Sequence, residues 1–85
     1  MIIMSSNKRP YWLWDYDLTE KDVRRILNGK NEIERRWLIG RILESAKYDD
    51  VWKYLTLKQV RENFPALKLK PPIKRVWQMA LNSWS

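Results

Sequence analysis

The chain has no cysteine and no histidine, only two glycines and a single phenylalanine among its 85 residues. Without Cys or His there is no disulfide, no Cys/His zinc site, no thiol nucleophile and no imidazole general base, which removes most catalytic constellations. Gly29 and Gly40 are too few for a P-loop or a dinucleotide fingerprint. No run approaches the roughly 18–20 apolar residues of a membrane span, and no lipidation box is present. The apolar stretch Met1 to Met4 is too short for a signal-peptide core, and the basic pair Lys8-Arg9 follows it instead of preceding it. These absences lead to the expectation of a cytoplasmic, non-enzymatic protein with no cofactor, no metal and no membrane association.

What the chain does have is six Trp and four Tyr, the bulky side chains by which a short chain can stabilise a limited core. Its length suits one domain. The formal charge of +7 is unevenly placed. Residues 1–50 carry ten Lys/Arg and nine Asp/Glu, giving +1, whereas residues 51–85 carry seven Lys/Arg and only Glu62, giving +6. Such an asymmetry suits a polyanion or an acidic protein, although a solvated surface has the same composition.

Residues 1–10 read as a flexible start and residues 11–85 as a single all-α domain of about five short helices with an N-terminal aromatic arm. In extended form the arm, Tyr11 to Asp17, would put Trp12, Trp14 and Tyr16 on one face and Tyr11, Leu13 and Asp15 on the other. Thr19 with Asp22 forms a box-like cap that starts a helix over about 20–28, which Gly29 should end in a left-handed turn. Asn31 with Glu34 starts the longest helix, running to about Lys47 with Leu38, Ile39, Ile42, Leu43 and Ala46 at helical spacing. Asp49 or Asp50 would cap a short helix over 51–55. Thr56 with Gln59 is a full capping box for a helix over 57–64, ended by Pro65. Pro72 suits the first turn of a last helix, on which Ile73, Val76, Trp77, Ala80, Leu81 and Trp84 form an apolar stripe.

Three constellations follow. Asp15 and Asp17 would share one face of an extended arm and could hold a divalent cation, but neighbouring Arg and Lys can pair with them instead. On the second helix Ile33 and Trp37 fall outside the main stripe, beside Gly40. That helix is then either central in its domain or touches a partner, in which case Ile33, Trp37 and, from the arm, Trp12 are the apolar anchors. The third constellation is basic: Lys68 and Lys70 on the linker, and Lys74 and Arg75 beside Gln78 and Asn82 on the last helix. Those residue types read phosphates and base edges.

The segments Trp14-Asp15-Tyr16-Asp17, Arg36-Trp37-Leu38-Ile39-Gly40-Arg41-Ile42-Leu43-Glu44 and Tyr48-Asp49-Asp50-Val51-Trp52-Lys53-Tyr54-Leu55, followed by Phe64-Pro65 and Arg75-Val76-Trp77, resemble a family of small prokaryotic helical proteins. Its members are antitoxin-like, encoded beside abortive-infection-type nucleotidyltransferase toxins. The resemblance implies a protein partner, such as a toxin of that type, and a chiefly architectural role for the motif aromatics. It brings no catalytic set. The expected function is therefore protein binding, as the antitoxin-like member of a toxin–antitoxin pair, with DNA or RNA binding through the basic C-terminal helices as the alternative.

Overall fold

Helices begin where capping groups permit in the computed structural model, which describes residues 9–83. Among these the order is a 3₁₀ turn Tyr11–Leu13, α1 Glu20–Leu27, α2 Glu32–Ser45, α3 Tyr48–Tyr54, α4 Leu57–Asn63, a 3₁₀ turn Phe64–Ala66 and α5 Pro71–Ser83, with no strand. This is the expected all-α domain of five helices. The expected flexible start lies outside the described residues except for Arg9 and Pro10, and so does Trp84.

Two capping boxes form as the sequence predicts. Thr19 Oγ1 accepts from the Asp22 N–H at 3.2 Å while the Asp22 carboxylate accepts from the Thr19 N–H at 3.0 Å. Thr56 and Gln59 repeat the exchange at 3.1 and 2.9 Å at the start of α4. Each box satisfies amide donors that the first turn leaves orphaned. Asn31 caps α2 through the Glu34 N–H at 3.1 Å.

The start of α3 differs from expectation. Neither Asp49 nor Asp50 is its cap: Lys47 stands at that position without a side-chain bond, and both aspartates fall in the first turn, where negative charge complements the helix dipole. The capping group comes from far away in sequence. The Tyr11 hydroxyl accepts from the Lys47 N–H at 2.6 Å and donates to the Asp50 carboxylate at 2.7 Å. Extended backbone at Ala46 and Lys47 also ends α2 at Ser45, short of the expected Lys47.

Gly29 does not supply a left-handed stop, since no glycine has positive φ. It is wanted for closeness instead: the Gly29 N–H reaches the Ile26 carbonyl at 3.1 Å, and a Cβ there would lie 3.2 Å from the Arg25 carbonyl oxygen.

The aromatic arm is also not extended. The 3₁₀ turn buries adjacent residues Trp12 and Leu13 together, which an alternating strand could not do, and leaves Trp14 78% exposed. With Val23, Leu38, Ile39, Ile42, Val51 and Val60, these two make the driest part of the core. α2 is the central element, contacting the arm, α1 and α3. The Trp12 ring meets that of Tyr54 edge-on at 5.3 Å, and its buried indole N–H has no hydrogen-bond partner among the described residues.

α5 docks through Trp77, whose indole N–H donates to the Leu43 carbonyl of α2 at 3.1 Å. Tyr48 stacks on Trp77 at 5.8 Å between centroids, and Trp52 meets it edge-on at 5.9 Å. Of the expected stripe, Trp77 and Leu81 are buried, Ile73 and Ala80 partly so, and Val76 is 64% exposed. The seam is therefore narrower than the periodicity predicts, with Trp77 and Leu81, four residues apart, as its axis.

Candidate partner-binding face

The side of α2 away from its fully buried residues carries Ile33, Trp37, Gly40 and Glu44, spaced so that they stack along one line of a helix. The linker after the second 3₁₀ turn runs opposite this line. Between them lies a hollow of about 470 Å³, whose apolar lining includes Ile33, Trp37, Gly40, Leu67 and Leu69. Glu44 ties the linker down by accepting from the Lys70 N–H at 3.1 Å. Ile33 is 81% exposed and Trp37 38% exposed.

Cationic groups edge the hollow. Arg36 and Arg41 come from α2 and Lys68 from the linker. Arg36 pairs loosely with Glu32 at 3.6 Å. Arg41 is fixed much more firmly: its guanidinium grips Asp15 through two nitrogens, donates from Nε to the Trp12 carbonyl at 3.1 Å, and lies over the rings of Trp14 and Tyr16 at 5.8 and 5.7 Å. Tyr16 in turn meets the Trp37 ring edge-on at 4.9 Å. The arm thus extends the aromatic surface beside the hollow, with Arg41 as its rivet.

A second hollow, of about 520 Å³, adjoins the first at Leu69, and its walls include Lys74, Arg75, Gln78 and Met79. The predicted anchor set and the predicted basic set, separate in sequence, meet along this stretch of the linker, where Lys68 lines the first hollow and Leu69 lines both.

Ile33 and Trp37 are available to a partner, but Trp12 is not: at 1% exposed it is a core residue, because the 3₁₀ turn carries it inward with Leu13. Lys68 lines the first hollow, and Lys74, Arg75 and Gln78 line the second. Lys70 and Asn82 are exposed but line neither, and Asn82 instead accepts from the Gln78 amide at 3.2 Å. Sequence reasoning missed Trp14, Tyr16, Arg36, Arg41 and Leu69. The four-residue spacing of Trp37 and Arg41 was a usable sign that they share a sector, whereas the aromatic neighbours come from a turn whose form was misjudged.

Asp15 and Asp17 do not share a site, since Asp15 pairs with Arg41 and Asp17 with Arg9 at 3.0 Å. Among the described residues there is no cluster of three or more His, Cys, Asp or Glu able to hold a metal ion. Nor is any helix among them long and apolar enough to cross a membrane.

The displaced pKa values belong to helix ends and to the core margin. Burial first, then the hydrogen bond to Glu20 at 2.7 Å, pushes the Tyr54 hydroxyl up to about 12. The Thr19 N–H, followed by Arg25, holds the Asp22 carboxyl below its ordinary value, and the Tyr11 hydroxyl, followed by Lys53, does the same to Asp50. These shifts serve structural hydrogen bonds.

Fold and site together define a small all-α domain with a mixed apolar and cationic face. Comparison of the chain with protein-family models, curated proteins and solved structures finds no match.

Proposed function

We propose that this chain is a non-enzymatic, cytoplasmic protein-binding module, the antitoxin-like member of a toxin–antitoxin pair, and that its partner places a bulky apolar side chain, flanked by carboxylates, in the hollow between α2 and the linker. The observation that carries this reading is the 81% exposure of Ile33 beside a half-exposed Trp37 on a helix whose other side is the centre of the core. Burying such a side chain against a partner contributes about 1.5–3 kcal/mol, and a rigid aromatic beside it is the usual kind of interface anchor. The cationic edge argues for the acidic flank: Lys68 has no ion pair among the described residues, and Arg36 has only a loose one.

Gly40 supports the same reading. A mid-helix glycine costs about 0.5–1 kcal/mol relative to alanine, yet a Cβ at Gly40 would meet only the tip of Leu69 at an ordinary 3.7 Å. The fold itself does not need the gap. A side chain entering the hollow would use it.

Co-expression with the product of the adjacent gene should give a complex that co-elutes at micromolar concentration. Trp37→Ala should weaken that complex by about 30-fold or more, the loss expected of a central anchor worth about 2 kcal/mol. Independent elution of the two wild-type proteins would sink the proposal.

A further inference from the structure

We infer that the linker and α5 form a second binding site, for the phosphodiester backbone of a nucleic acid, made by Lys74 and Arg75 in the hollow beyond Leu69 and extended by Lys70 and by Lys68, which it shares with the rim of the first hollow.

The ion pairs are unevenly distributed along the chain. Among the described residues they involve Arg9, Arg25, Arg35, Arg36, Arg41 and Lys53, every one of which precedes α4. From α4 onward there is none, since the sequence there offers only Glu62 as a carboxylate. The positive charge of the first part of the molecule is largely neutralised internally, while that of the linker and α5 is left to solvent. Lys68, Lys70, Lys74 and Arg75 are all exposed.

These cations are also gathered in space. Leu69 turns toward the core, where it packs partly buried, and holds the flanking lysines at the rim. Glu44 fixes the same stretch through the Lys70 N–H, leaving the Lys70 side chain unengaged by this bond. The second hollow has Lys74, Arg75 and Gln78 among its walls and no acidic residue. A linear polyanion laid across Leu69 from Lys68 to Arg75 would meet cations along its course without displacing any existing pair. An acidic protein surface has the same sign of charge, but four exposed cations that succeed one another from the linker into α5, with no carboxylate among the walls of the second hollow, suit a linear anion of regularly repeated charge. This site does not rest on the docking proposal for the first hollow, and Trp37→Ala should leave it intact.

The probes are a fluorescein-labelled 20-nucleotide single-stranded DNA and the corresponding duplex, titrated by anisotropy between 50 and 200 mM salt. With four phosphate contacts the affinity should fall about 50-fold over that range for the single strand and about 150-fold for the duplex, and the tighter-bound of the two probes is the form engaged. Two double variants of equal charge separate a local site from mere net charge: Lys74→Gln with Arg75→Gln should flatten the log–log slope by about 1.4–1.8, and Lys21→Gln with Lys30→Gln should leave it unchanged. The exchanged pair Lys74→Arg with Arg75→Lys should keep the wild-type slope, which excludes loss of fold as the cause. Equal effects of the two neutralised doubles would overturn the inference, as would absence of binding at 50 mM salt. It would also be overturned if polyglutamate of matched charge displaced the probe as well as unlabelled DNA does, because the surface would then be one for acidic proteins.

Discussion

Tyr54 and Tyr11 show what single hydroxyls do in this molecule. Tyr54 has its folded pKa raised from about 10 to about 12, so the folded state favours the neutral phenol. Its contribution to stability is complete below pH 10 and is lost as pH rises through the window between those values. A spectrophotometric titration should show one tyrosine ionising near pH 12, and Tyr54→Phe should remove that late step. Asp50 works in the opposite direction. Its carboxyl is held below the ordinary value near 3.8, first by the Tyr11 hydroxyl, so its contribution is present above that pH and is lost as pH falls through the folded value. Tyr11→Phe should therefore lower the acid resistance of the fold, and combining it with Asp50→Asn should cost less than the two single changes added together. A fully additive pair in acid denaturation would show that the hydroxyl and carboxylate act separately.

At the scale of elements, the two glycines make opposite predictions. Gly40→Ala should raise stability by about 0.5–1 kcal/mol, because α2 gains a better helix former and the new Cβ meets only ordinary contact. Gly29→Ala should lower it, because the added Cβ would press on backbone carbonyl oxygens at 3.2 and 3.4 Å that cannot swing aside. Thermal melts of the two variants should move in opposite directions. For α5, Trp77→Ala should cost about 3–5 kcal/mol, much of the roughly 5–15 kcal/mol available to a small domain. The helices were legible in the sequence to the extent that their information is local. Thr19, Asn31 and Thr56 carry their caps within three residues, and α1, α2 and α4 begin where those caps predict. α3 was misplaced because its capping hydroxyl comes from Tyr11, which no local pattern connects to Lys47. The arm was misread for a related reason: alternation of aromatic residues describes a strand and a short turn equally well until the core decides which two point inward.

For the whole molecule, the candidate face was visible only in halves. The exclusion of Ile33 and Trp37 from the main stripe of α2 and the basic excess of the last 35 residues were both present in the sequence. Their meeting at Leu69 was not, because it depends on the linker folding back along α2 and being tied there through Glu44. The same juxtaposition means that the two proposed sites are neighbours that share Lys68 but otherwise have their own determinants, and variants at Trp37 and at Lys74 with Arg75 should affect different ligands. The ring cluster that seats α5 has a consequence of another kind. Tyr48 and Trp52 lie within 6 Å of the Trp77 indole at fixed and unequal angles, so their electronic transitions couple and the chiral arrangement is written into the near-ultraviolet circular dichroism. Release of α5 from α2 would remove the Trp77 share of that signal and leave the Tyr48–Trp52 pair of α3, giving the molecule a built-in optical reporter of whether its last helix is seated.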